Sequence, residues 1–237
     1  MARVPVYVKC LYLSAPFRSR TPTFPHPLAT FAAVRELRGL GKLDIMNGVP
    51  YLREIVHEPH PTLRRAAKKV RAEELEDPLV QQLIDDMFVT MYEAPGIGLA
   101  APQINVAKRL FVVDIAIDRE DYKLGPLVFV NPRFTAREGE LESTEGCLSV
   151  PGKVGDLKRY ERVVCVALDR HGKRFEVEGK GLFGRCLQHE LDHLDGTLYI
   201  DKAQNIRDPH TEEEDETAST EGESTSAGGD GEAALSA

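Results

Sequence analysis

The chain has 237 residues, of which 42% are hydrophobic, so it can bury one sizeable core and is expected to form one domain with appendages. Its net charge of -8 is unevenly distributed, and residues 46–207 are nearly neutral with 23 basic and 26 acidic residues, which excludes a large basic surface for nucleic acid. No apolar run approaches the roughly 20 residues of a membrane span, and four irregularly spaced cysteines favour a reduced, intracellular protein over a disulfide framework.

Both ends of the chain differ in composition from the middle. Residues 1–45 are rich in Pro, Arg, Ser and Thr and hold seven basic and two acidic residues. We predict a flexible extension there, with an organelle transit segment or translation upstream of a working start at Met46 as alternatives. Residues 208–237 hold ten acidic residues and no Lys or Arg, which predicts a disordered acidic tail. The folded domain is expected over residues 46–207.

Hydrophobic periodicity predicts the elements of this domain. A short helix is expected over Leu63 to Val70 after Pro61, and a helix of about four turns over Leu75 to Tyr92, where apolar residues recur at helical spacing. β-Branched and aromatic residues then predict four strands, the last two joined by a hairpin turn at 169–172: Arg109–Ile115, Leu127–Val130, Val163–Leu168 and Arg174–Val177.

From Gly181 the apolar spacing is helical again, and this last helix contains the sequence H-E-L-D-H at 189–193. We therefore predict an α+β fold in which antiparallel β-sheets pack around a central helix carrying the H-E-x-x-H motif. On one face of that helix, His189 and His193 can bind a single metal ion. Glu190 is then placed to take a proton from a water molecule that the metal polarises.

The third ligand of such a site has to be sought elsewhere, because catalytic metal sites of this kind usually have three protein ligands. Metalloproteases with the longer motif H-E-x-x-H-x-x-G-x-x-H use its last histidine, but Tyr199 stands at that position here. Cys186 is disfavoured because seven residues of helix, about 10.5 Å, separate it from His193. We predict Cys186 to be a small buried core residue.

Cys147 lies in the polar sequence E-G-C-L-S at 145–149, which we interpret as a loop. A thiolate ligand needs an accessible, polarised environment of this kind, although a structural thiol fits the residues equally well. Cys165 is predicted to be a core residue of its strand, and Cys10 to lie outside the domain.

Three motifs together make the chain resemble the peptide deformylase family. They are G-I-G-L-A-A-P-Q at 96–103, E-G-C-L-S at 145–149 and Q-H-E-L-D-H-L-D-G at 188–196, in the family's order and wide spacing. The resemblance covers about residues 47–205. It implies a metal-dependent hydrolase that removes the formyl group from the N-terminal formyl-methionine of newly synthesised proteins and releases formate.

The resemblance also implies a metal centre. Cys147, His189 and His193 match the family's ligands, and Glu190 matches its general acid/base. The family's usual ion is Fe2+, with Zn2+, Ni2+ or Co2+ as substitutes. Asp192 either orients a ligand or a strand arginine such as Arg159, or is an exposed acid on the helix face.

Four further positions match residues that act on the substrate. Gln103 and the backbone N–H of Leu148 match the donors that stabilise the developing oxyanion, and Ile97 and Gly98 match the wall and backbone that receive the methionine. The implied partners are N-formylmethionyl nascent peptides and, transiently, the ribosome, with no membrane and no sequence-specific nucleic acid. A cytoplasmic location is expected, or an organelle if residues 1–45 are a transit segment. The alternatives from the residues alone are a peptidase of the H-E-x-x-H type and a structural metal-binding module.

Overall fold

The fold is taken from a computed structural model of the chain, which describes residues 8–10, 49–115 and 124–209. The predicted flexible extension and acidic tail lie outside the described residues, apart from 8–10 and 208–209. Among the described residues, no helix combines the length and apolar character needed to cross a membrane.

Two α-helices are present in the described part of the chain, α1 over Pro78–Glu93 and α2 over Gly181–Leu194. The predicted start of α1 at Leu75 is too early. Residues Ala72–Glu76 form a separate 3-10 helix, because Pro78 disfavours a helical conformation at the residue before it. Asp77 instead caps α1, where its carboxylate accepts a hydrogen bond from the Leu79 N–H.

The prediction of a helix over residues 63–70 is wrong beyond its first turn. Only Pro61–Arg64 is helical, as a 3-10 turn. The Ala67 N–H donates to the carbonyl of Leu194 and the Lys68 N–H to that of Ala107. These bonds to distant segments replace the i to i+4 bonds that would continue a helix.

The described residues form nine strands in two sheets. One sheet has the order β1-β5-β6-β9 and the other β2-β3-β4-β7-β8, and every pair is antiparallel except β1 with β5. In chain order the strands are β1 Val8–Cys10, β2 Gly98–Ala100, β3 Leu110–Val113, β4 Leu127–Glu138, β5 Leu141–Cys147, β6 Val150–Arg159, β7 Arg162–Leu168, β8 Arg174–Lys180 and β9 Gln204–Arg207.

The four predicted strands correspond to β3, β4, β7 and β8, and the predicted hairpin turn joins β7 to β8. In that turn the Asp169 N–H donates to the Lys173 carbonyl, and the Asp169 carboxylate accepts from the backbone of His171 and Lys173. The interpretation of 145–149 as a loop is wrong for its first three residues, because β5 continues to Cys147, which is buried; Leu148 and Ser149 form the turn to β6. The backbone of Cys10 pairs with Cys147 as part of β1.

Helix α2 lies at the centre of the fold, with twelve of its fourteen residues buried. It packs on β2, β3, β7 and β8 of the five-stranded sheet and also lies beside β1. Cys186 and Cys165 are both fully buried in the core between α2 and this sheet, as predicted. The predicted α+β arrangement of antiparallel sheets around a central helix is confirmed.

Two glycines allow α2 to approach β8 closely. A Cβ atom on Gly184 of α2 would lie 2.8 Å from the carbonyl oxygen of Gly179 on β8. We expect Gly184→Ala to lower the free energy of unfolding by about 1–3 kcal/mol, because the added methyl group overpacks this contact. Gly125→Ala is the control, since a Cβ there has no atom within 4 Å. Urea unfolding should separate the two variants, and equal stability would show that α2 can shift away from β8 without cost.

Candidate metal centre

The three predicted ligands come together at one buried point. His189 and His193 leave the same face of α2, with ring centroids 5.0 Å apart. Cys147, at the end of β5, brings its Sγ to 3.2 Å from His193 Nε2. The ligand atoms of all three residues lie within 4.8 Å of one another. Cys186 is directed elsewhere, with its Sγ 3.8 Å from the carbonyl of Ile97.

This donor set fits a single metal ion. Metal–ligand bonds of about 2.0–2.3 Å hold two ligands of one ion up to about 4.6 Å apart, close to the observed spacing. The Nε2 of His189 is buried and has no hydrogen-bond partner among the described residues. Burial, followed by the charges of His189 and Arg159, lowers the pKa of His193 well below its usual value. A neutral imidazole is the form that binds a metal. This shift favours that form at His193, whereas burial of His189 is outweighed by contacts with Cys147 and Glu145, which raise its pKa.

A buried ion pair fixes the orientation of His189. Glu145 Oε2 lies 3.0 Å from His189 Nδ1, and both carboxylate oxygens accept hydrogen bonds of 2.8 Å from Arg159. Burial by itself raises the pKa of Glu145, but the charge of Arg159 and the hydrogen bonds from Arg159 and His189 outweigh it, so the pKa lies well below its usual range. The ionised carboxylate therefore keeps Nδ1 occupied and leaves Nε2 of His189 for the metal.

Asp192 extends this network to the surface. Its Oδ2 accepts from Arg159 Nη1 at 2.6 Å, and its Oδ1 accepts from Lys202 Nζ at 2.7 Å. Of the two interpretations of Asp192, contact with the strand arginine is the one observed. Asp192 is therefore linked to His189 through Arg159 and Glu145.

Tyr199 is a neighbour of the metal centre that sequence reasoning considered only as a missing histidine. Its ring stacks on His189 with centroids 6.3 Å apart and an interplanar angle of 24°. Its hydroxyl donates to the carbonyl of Lys153 at 2.8 Å. The position that supplies a third histidine in the longer protease motif is therefore near the site, but it supplies packing in place of a ligand.

Glu190 is fully buried beside the two histidines, and Gly98 of β2 packs directly on its carboxylate. A Cβ atom on Gly98 would lie 2.5 Å from Glu190 Oε1 and 2.9 Å from Cys186 Sγ. Any Cβ atom at this position would force the side chains of Glu190 and Cys186 to shift, and glycine avoids this contact. The backbone of residue 98 is thereby held against the predicted acid/base group.

The predicted oxyanion donors lie beside Cys147. Gln103 is fully buried, and its Oε1 accepts from the Ala100 N–H at 2.9 Å. Its Nε2 is therefore turned towards Ser149 Oγ at 3.3 Å and Cys147 Sγ at 3.6 Å. Leu148 follows Cys147 directly at the end of β5.

Ile97 differs from the other predicted substrate residues. Its side chain is 2% exposed and belongs to the core between α2 and the five-stranded sheet. Its carbonyl accepts from the Asp114 N–H at 3.0 Å. The described structure thus brings together the ligand, acid/base and donor residues, and Gly98 with them, while the Ile97 side chain packs into the core.

The fold and the site define a class of protein: an α+β domain whose buried central helix carries H-E-x-x-H and meets one cysteine from a strand end. A sequence model of the family described as polypeptide deformylase matches residues 52–209. The chain belongs to this family, whose members are metal-dependent enzymes that remove the formyl group from N-terminal formyl-methionine.

Individual relatives agree with this assignment. A peptide deformylase of Symbiobacterium thermophilum is 48% identical over 169 residues, which cover 70% of this chain and 75% of the relative. A crystal structure of a peptide deformylase from Legionella pneumophila is 42% identical, with a TM-score of 0.59, and covers 73% of this chain and 99% of its own. The Met-Ala-Ser-bound structure of the Acinetobacter baumannii enzyme is 32% identical, with a TM-score of 0.61. It covers 65% of this chain and 99% of its own.

The ion pair behind His189 leads to a prediction about metal affinity. We expect Glu145→Gln to weaken metal binding by about 10- to 100-fold, because the partner that orients the imidazole loses its charge. Competition between the protein and a chelator for Co2+ measures this directly, without an activity assay. Glu178→Gln is the matched control, since Glu178 is a strand glutamate paired with Arg162 at the surface. Unchanged affinity in a folded Glu145→Gln protein would contradict the orienting role.

Proposed function

We propose that Cys147, His189 and His193 hold the metal ion with which this enzyme removes the formyl group from N-terminal formyl-methionine. The observation that carries the proposal is the convergence of these three ligand atoms within 4.8 Å, with Glu190 buried beside them. Residues 46–207 would then be the catalytic domain, consistent with the family match over residues 52–209.

Fe2+ is the proposed ion, with Zn2+, Ni2+ or Co2+ as substitutes. One thiolate and two imidazoles form a mixed soft and borderline donor set that suits these first-row ions rather than Mg2+ or Ca2+. When bound, such an ion lowers the pKa of water and polarises a carbonyl oxygen.

The side chains around the ligands would carry the proton and the developing charge. Water adds to the formyl carbon, Glu190 takes its proton, and the C–N bond then breaks as Glu190 protonates the leaving amine, which yields formate and a free N-terminus. The Nε2 of Gln103 and the N–H of Leu148 would donate to the formyl oxygen while it bears negative charge. The backbone of Gly98, with Ile97, would receive the methionine.

The substrate class agrees with what relatives bind. The Acinetobacter baumannii structure is described as bound to Met-Ala-Ser, and a Synechococcus elongatus peptide deformylase was solved in complex with actinonin. We propose N-formylmethionyl nascent peptides as the substrate and transient contact with the ribosome during synthesis. The proposed location is the cytoplasm, or an organelle if residues 1–45 are a transit segment.

Two rival functions are less well supported. A peptidase with the longer H-E-x-x-H motif would need a histidine where Tyr199 packs on His189. A structural metal site would need four protein ligands, whereas the described residues bring together three.

Formate release from formyl-Met-Ala-Ser tests the function. We expect activity from protein purified without oxygen and loaded with Fe2+, and a loss of about 10²- to 10⁴-fold in Glu190→Gln with metal content unchanged, because the proton carrier is removed. Glu76→Gln, at an exposed position, should keep full activity. Cleavage of an internal peptide bond without formate would favour the peptidase, and bound metal with neither activity would favour the structural module.

Gly98→Ala tests the contact between β2 and the acid/base group. The new methyl group would displace the Glu190 carboxylate, so we expect kcat to fall by at least about 10²-fold while metal content stays at the wild-type level. Gly125→Ala serves as the control for a glycine with open space around it. Retention of full activity in Gly98→Ala would show that the carboxylate works from a different position.

A further inference from the structure

A segment far from the domain in sequence covers an edge of the metal centre. Strand β1 pairs with the last three residues of β5, with Val8 opposite Glu145, Lys9 opposite Gly146 and Cys10 opposite Cys147. It is the one parallel pair among the described strands. The backbone of residues 8–10 therefore lies one strand spacing, about 4.8 Å, from the residue proposed as a metal ligand.

This edge of β5 is the side of the strand that does not pair with β6. Its other side pairs with β6 from Leu141 to Cys147, so an extended peptide can join the sheet only where β1 lies. Strand β1 is also next to α2, the helix that carries the histidines. A peptide backbone at this edge therefore lies next to both the end of β5 and α2.

The substrate needs a binding mode that does not depend on its sequence. A nascent chain presents a formyl-methionine followed by residues of any type, and hydrogen bonds to a sheet edge hold an extended peptide through its backbone alone. The edge at Glu145–Cys147 offers such bonds next to the ligands. On the proposed function, the same edge would therefore serve both the substrate and β1.

We propose that residues 8–10 are an internal competitor for the peptide substrate, docked on the edge of β5 and displaced when a formylated peptide binds. Only molecules whose edge is uncovered can then bind the peptide, so the apparent affinity for substrate is lowered by that fraction. Docking of residues 8–10 therefore raises KM. It leaves kcat unaffected, because saturating substrate displaces the segment. A three-residue strand makes few hydrogen bonds, and we expect an effect on KM of about 3- to 10-fold.

A pair of variants in the full-length chain separates backbone pairing from side-chain effects. The double variant Val8→Pro, Lys9→Pro lacks two successive backbone N–H groups. Successive N–H groups of a strand point to opposite sides, so the N–H group that points to β5 is lost in this variant. Val8→Ala with Lys9→Ala alters the same side chains and keeps both donors. We expect KM for formyl-Met-Ala-Ser to fall about 3- to 10-fold in the proline variant alone, at unchanged kcat. An unchanged KM in the proline variant, or an equal fall in the alanine variant, would overturn the proposal.

Hydrogen exchange tests the docking independently of catalysis. The backbone amides of Glu145–Cys147 should exchange faster in the proline variant than in the alanine variant, because the covering strand is lost. Equal exchange in the two variants would refute docking even in an active enzyme. Faster exchange together with no formate release from any variant would sustain docking and reject the proposed function, so the two failures can be told apart.

Discussion

The burial of a charged pair between β5, β6 and α2 is the constraint on which the metal centre depends. Glu145 and Arg159 are almost fully removed from water, and a buried charge is costly unless every lone pair and donor is satisfied. Arg159 and His189 satisfy the carboxylate, and Asp192 satisfies a further guanidinium nitrogen. Because these groups come from a strand, its neighbour and the central helix, their satisfaction fixes the three elements relative to one another.

Close packing around α2 adds to the ion pair in fixing the position of the motif. Twelve of the fourteen residues of α2 are buried, Gly184 packs directly on the backbone of β8, and Gly98 of β2 packs on the side chains of Glu190 and Cys186. The motif is therefore buried, and hydrogen bonds and charges act more strongly there than in bulk water. The ring of Tyr199 stacks on His189. The three proposed ligands thus stand on a buried helix and at the end of a paired strand.

Sequence patterns predicted the parts of this arrangement that rest on apolar periodicity. The strand β3 is a run of buried apolar residues, β7 is mostly apolar and β-branched, and α2 has helical spacing, so each was recognisable. The strand β5 reads L-E-S-T-E-G-C, and its formation depends on pairing with β6 rather than on its own propensity. Missing β5 also hid Glu145, which lies two residues before Cys147 and therefore on the same face of the strand. The helix predicted at 63–70 failed for a related reason, since contacts with distant segments override local preference.

A strand edge that must receive a peptide creates a conflict between function and solubility. Exposed edges invite pairing with other chains, and proteins commonly cover them. An enzyme that reads extended peptides by their backbone cannot cover such an edge permanently, because the substrate needs the same hydrogen-bonding groups. A short segment bound by few hydrogen bonds meets both demands. It covers the edge when no substrate is bound, and a ligand that makes additional contacts displaces it. The three residues of β1, docked in parallel at the end of β5, have the length and position that this compromise requires.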